Sequence, residues 1–67
     1  MELTMLIRSH DRLGVVYLDT DDFLLARGMP PTKSGEWTYV GLRSGDSIEL
    51  NEPLANVLEW WGWEGGP

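Results

Sequence analysis

The stretch that most limits what this chain can become is Asn51-Glu52-Pro53-Leu54-Ala55-Asn56-Val57-Leu58-Glu59-Trp60-Trp61-Gly62-Trp63, which holds three of the four tryptophans. Leu54, Val57, Leu58 and Trp61 recur at i, i+3, i+4 and i+7, the period of a helix with one apolar side. Asn51 or Glu52 is placed to cap that helix, and Pro53 falls in its first turn, where a missing N–H costs nothing. Gly62 is the expected terminator, because glycine enters the left-handed region without a side-chain clash. A helix of this kind has to bury its apolar side, so the rest of the chain is expected to supply the surface beneath it.

The preceding residues read mainly as strands. Glu2-Leu3-Thr4-Met5-Leu6-Ile7-Arg8-Ser9 alternates, with Leu3, Met5 and Ile7 on one face and Thr4, Leu6 and Arg8 on the other. His10-Asp11-Arg12-Leu13-Gly14 suits a hairpin connection, and Val15-Val16-Tyr17-Leu18-Asp19 is rich in β-branched and aromatic residues. Thr20-Asp21-Asp22-Phe23-Leu24-Leu25-Ala26-Arg27-Gly28 has acids first and arginine then glycine last, the order a helix dipole favours. It is read as a two-turn helix or a single 3₁₀ turn, with a strand over Phe23 to Ala26 as the alternative. The prolines of Met29-Pro30-Pro31-Thr32-Lys33-Ser34-Gly35 make it a loop. A second hairpin follows: Glu36 to Leu42, the turn Arg43-Ser44-Gly45-Asp46, then Ser47 to Leu50. Glu64-Gly65-Gly66-Pro67 is expected to fray. The fold class is therefore α+β, one domain over residues 1–67, with an antiparallel sheet of about four strands covered on one face by the C-terminal helix. A five-stranded β-barrel, with Leu54 to Trp61 extended, is the alternative.

Length and charge narrow the function. A chain of 67 residues buries only about 60% of the surface its unfolded form exposes. With no cysteine it has neither a disulfide nor a thiolate zinc site to reinforce that small core. A homodimer or an obligate partner is one way to make up the difference. Eleven acidic against five basic residues give a formal net charge of −6. Such a chain repels phosphate backbones and is drawn to basic surfaces, including those that themselves bind nucleic acid. No apolar run approaches the roughly 20 residues that span a bilayer. Glu2 and Arg8 interrupt the plan of a signal peptide. A cytoplasmic protein that contacts neither nucleic acid nor membrane directly is the expectation.

Val15-Val16-Tyr17-Leu18-Asp19-Thr20-Asp21-Asp22, an apolar strand ending in Asp-x-Asp, resembles the first motif of the haloacid-dehalogenase-like phosphotransferases. The resemblance covers eight residues and implies Asp19 as nucleophile, Asp21 as acid/base and a bridging Mg²⁺. Asp22 stands where that family has glycine, and its other motifs need a far longer parallel α/β fold. Capping by Asp19 and Thr20, with Asp21 and Asp22 in a first turn, explains the same residues without further motifs. His10, on the predicted turn, lacks a second ligand or a nucleophile to work with. No phosphate loop or cofactor fingerprint occurs.

The expected function is thus non-enzymatic and needs no cofactor: a small acidic protein that occludes or bridges a macromolecular partner. In size and charge it is similar to small phage-borne inhibitors of host defence, including anti-CRISPR proteins. Trp60 and Trp63, with Asn56 beside them, are expected on the helix side turned away from the sheet, where they either fold back onto the proline loop or the first hairpin or serve as partner anchors. Asp19, Asp21, Asp22, Glu59 and Glu64 are expected to steer toward a basic protein, such as one that binds nucleic acid. Self-association through the tryptophans is the second reading, and Asp-x-Asp metal chemistry the third.

Overall fold

A computed structural model describes residues 6–62. In it β1 (Leu6–Asp11) and β2 (Gly14–Asp19) form an antiparallel hairpin, with Leu6 opposite Asp19 and Asp11 opposite Gly14. The Asp11 carboxylate accepts from the N–H groups of Leu13 (2.7 Å) and Gly14 (3.0 Å). Gly14, at φ +132°, takes a conformation that L side chains avoid. This geometry shortens the expected His10–Gly14 connection to Arg12 and Leu13: His10 is a strand residue, not a turn residue. The expected beginning of the first strand, with Leu3 and Met5, lies outside the described residues.

Asp19 ends β2 and caps a 3₁₀ turn at Thr20–Asp22, accepting from Asp21 N–H at 2.9 Å. A three-stranded antiparallel sheet follows in the order β3 (Phe23–Gly28), β4 (Thr38–Leu42), β5 (Ser47–Leu50). The chain closes with α1 (Leu54–Trp61). The α+β class, the antiparallel pairing, the short helical turn after β2 and the C-terminal helix match expectation, and the sheets do not close into a barrel. The strand count exceeds the expected four: among the described residues there are five strands in two sheets, because the alternative of a strand over Phe23 to Ala26 holds, as Phe23–Gly28, in place of a continued helical turn. Phe23 is fully buried, and pairing with β4 is what carries it into the core. A register shift leaves Leu24 without a partner, after which Leu25 lies over Gly41, where an added Cβ would come within 3.0 Å of Leu25 Cγ. Local helix signals are worth tenths of a kcal/mol per residue and yield to such packing.

The two sheets meet along β1 and β5. Asn51 N–H donates to His10 O at 2.9 Å, Ser9 faces Glu52, and Arg12 pairs with Glu49. These contacts run in opposite directions along the two segments, as in antiparallel pairing. Arg12 also lies 4.5 Å above the ring of buried Trp37, whose indole N–H donates to Thr32 Oγ1. The outermost strands are then β2 and β3, and neither has a further strand beside it among the described residues.

The core takes one buried apolar residue from each of five elements: Leu18 of β2, Phe23 of β3, Val40 of β4, Leu50 of β5 and Val57 of α1. α1 runs antiparallel to β3. Leu54 packs beside Gly28, and Trp61 meets Phe23 edge-on, with centroids 5.9 Å apart at 75°. Gly62 stops the helix as expected, at φ +79°, its N–H returned to Glu59 O and Leu58 O. The N-terminus differs from expectation. Pro53 is itself the capping position, with no side-chain cap. Glu52 instead accepts from Ser9 Oγ (3.1 Å) and Asn56 Nδ2 (3.3 Å) through its carboxylate, and from Thr38 Oγ1 (2.7 Å) through its carbonyl. Asn51, with its amide nitrogen turned toward Glu36 O and Ser34 O, ties down the proline loop.

Two stability changes follow. Phe23→Ala should cost about 3–5 kcal/mol. A chain of 67 residues commands in total only roughly 3–10 kcal/mol, so urea denaturation should find the variant largely or wholly unfolded. Glu52→Ala strands the Ser9 hydroxyl, 1% exposed, and should cost about 1–3 kcal/mol by the same measurement. Glu52→Gln keeps an acceptor and should cost less.

Candidate functional site

The three aspartates expected to steer a partner are brought together by the 3₁₀ turn. Asp21 and Asp22 are exposed, and Asp19 is half-buried with its carboxylate turned to the Asp21 N–H. The backbone of the turn is held from the other side. Arg43 N–H donates to Asp22 O at 2.7 Å, and Arg43 Nε donates to Asp21 O at 2.8 Å. Three hydrogen bonds thus fix the main chain and leave the Asp21 and Asp22 carboxylates outward, without a hydrogen-bonded side-chain partner among the described residues. The β4–β5 turn that contributes Arg43 also carries exposed Asp46.

The helix residues are placed differently from expectation. Glu59 is exposed on α1, which touches the 3₁₀ turn. Asn56 is exposed but gives its amide to Glu52. Trp60 does not occupy a free face: it is half-buried and packs against the core with Trp61. The reason is the centre of the buried side. Val57 is the fully buried residue of α1, and at 3.6 residues per turn a residue three positions on lies only about 60° round the helix from it. Trp63 and Glu64 lie outside the described residues.

The exposed apolar surface is found on the strands instead. On the outer face of the hairpin, Leu6, Arg8 and His10 of β1 stand beside Asp19, Tyr17 and Val15 of β2. Tyr17 is 61% exposed, and on β3 Leu24 is 54% exposed. Both strands flank the aspartate turn directly, Tyr17 two residues before it and Leu24 two residues after. The signal for Val15 and Tyr17 was present in the two-residue period of β2: with Leu18 inward, its alternate neighbours must point out. No group of three or more His, Cys, Asp or Glu residues is positioned to hold a metal ion among the described residues. No helix among them is long and apolar enough to cross a membrane.

Comparison with known protein families, curated proteins and solved structures returns no match for this chain. The reading of the site therefore rests on its own geometry.

That geometry separates a structural aspartate from two displayed ones. Asp19→Ala removes a cap and should lower stability by about 1 kcal/mol. Asp21→Asn/Asp22→Asn should leave the thermal midpoint unchanged, since neither side chain is bonded. Circular-dichroism melts of the two variants check both expectations.

Proposed function

We propose that the protein is a non-enzymatic acidic binding protein that docks on a basic macromolecular surface and occludes it, acting as an inhibitor of a nucleic-acid-handling protein. The observation that carries this reading is the aspartate turn. Asp21 and Asp22 are held outward on a main chain pinned by Asp19 and Arg43, between two strands that expose Tyr17 and Leu24. Fixed charges beside apolar anchors are the ingredients of an interface: charge sets encounter rate and orientation, and large buried side chains supply the affinity. The net charge of −6 works in the same direction by favouring basic partners over nucleic acid itself. Similarity in size and charge to phage-borne inhibitors of host defence supports inhibition as the biological outcome.

The test is affinity capture at low salt with three baits: the unaltered chain, Asp21→Asn/Asp22→Asn, and Glu36→Gln/Glu49→Gln, which removes the same charge from the proline loop and β5. A basic partner should be retained by the first and third, lost from the second, and released as salt rises. A partner held equally by both variants would show that total charge, and not the turn, governs binding.

A further inference from the structure

The two outermost strands are unequal. β3 is blunted by the register shift at Leu24 and carries Arg27, devices that discourage a further strand from pairing. β2 has neither. Its register against β1 is unbroken over all six residues, and Val15-Val16-Tyr17-Leu18 holds no proline, glycine or lysine. Among the described residues it presents a bare edge of the kind that invites strand addition.

Charge indicates which strand fits that edge. The chain carries −6 overall, yet the outer face of the hairpin holds one cation, Arg8 opposite Tyr17, and one anion, Asp19 opposite Leu6, and the only charge on β2 itself is Asp19 at its end. Two copies can meet there with little of the repulsion that would separate them elsewhere. The side chains are also self-complementary. With a two-fold axis at Val16, an antiparallel pairing sets Val15 of one copy opposite Tyr17 of the other, twice. An aromatic against a β-branched residue is a favourable cross-strand pair. The same register puts the two Asp19 residues at opposite ends of the paired strands.

We propose that a second copy of this chain adds its β2 to β2 across that axis, forming a continuous four-stranded sheet in the order β1-β2-β2-β1. The contact is isologous, so it closes at the dimer and does not propagate. It supplies what a cysteine-free chain with a core of five buried apolar side chains lacks, further burial for Val15 and Tyr17. It shares Tyr17 with the surface proposed for a basic partner but leaves the Asp21 and Asp22 carboxylates and Leu24 free, and it stands whether or not a basic partner exists.

Sedimentation equilibrium from low to high micromolar protein, paired with amide hydrogen exchange over the same range, tests the proposal. The expected result is dimer mass at the upper end, with exchange protection that rises with concentration in Val15–Asp19 and not in Phe23–Gly28. Tyr17→Lys should raise the dimer dissociation constant at least about tenfold, and Leu24→Lys should leave it unchanged. Monomer mass throughout, concentration-dependent protection in β3, or dissociation by Leu24→Lys instead of Tyr17→Lys would each overturn it. Should Tyr17→Lys fail to fold, the exchange pattern of the unaltered chain decides.

Discussion

Glu52 is the joint on which the two sheets and the helix depend. Two polar side chains are buried among the described residues, Ser9 of β1 and Thr38 of β4, and both hydroxyls end on Glu52, one on its carboxylate and one on its carbonyl. Its second carboxylate oxygen takes the Asn56 amide, so the same residue also holds the first turn of α1. A buried hydroxyl left unpaired costs more than a single hydrogen bond is worth, so these contacts matter chiefly through what their loss would strand. They span 43, 14 and 4 positions of the chain. Each longer one fixes a loop whose closure the local structure does not otherwise enforce. That β1 can turn a serine inward, where its partner strand turns Leu18, follows from this arrangement.

The cost of so small a frame shows on the outside. One buried apolar residue per element is enough to define a core but leaves much apolar surface uncovered, and Trp60 and Trp61 are both drawn in to roof it. This is why the helix has no spare tryptophan face among the described residues and why the exposed large apolar side chains sit on the strands β1, β2 and β3 and at Leu13 of the first hairpin turn. A chain of this length has too few large residues to cover both sides of its strands.

How much of this was legible depended on range. The Leu54–Trp61 helix and its Gly62 stop, the β4–β5 hairpin and β2 are written in patterns of two to four residues, and those patterns survive in the fold. Phe23–Gly28 was obscured because its acids, arginine and glycine imitate helix ends, while the pairing that makes it a strand lies across the loop at residues 29–37. Trp60 fell to the edge of the site because the apolar stripe of Leu54, Val57, Leu58 and Trp61 has Leu54 and Trp61 at its centre and Val57 at its rim. The sheet selects Val57 as the centre, a choice made by tertiary contact. Glu52 looked like a cap for the same reason: its actual partner, Ser9, is 43 positions away. Of the candidate site, the Asp19–Asp21–Asp22 group was readable as a capped acidic turn. Its bracing by Arg43 was not, since that contact needs the β3–β4 register.

Asp19 links the charged turn to the apolar edge. It is the last residue of β2 and the cap of the 3₁₀ turn, so the outward aspartates are covalently and conformationally continuous with the strand proposed to pair. In a dimer about Val16, each Asp19 lies three residues from the axis, which at 3.3 Å per strand residue separates the two turns by roughly 20 Å. A dimer would therefore present two rigid acidic turns at a fixed spacing, where a monomer presents one. A basic surface long enough to meet both would gain from the second contact without paying again for encounter, and a shorter one would not. Edge pairing would in this way convert a weak, non-selective charge attraction into discrimination by length, with the register of β2 as the ruler.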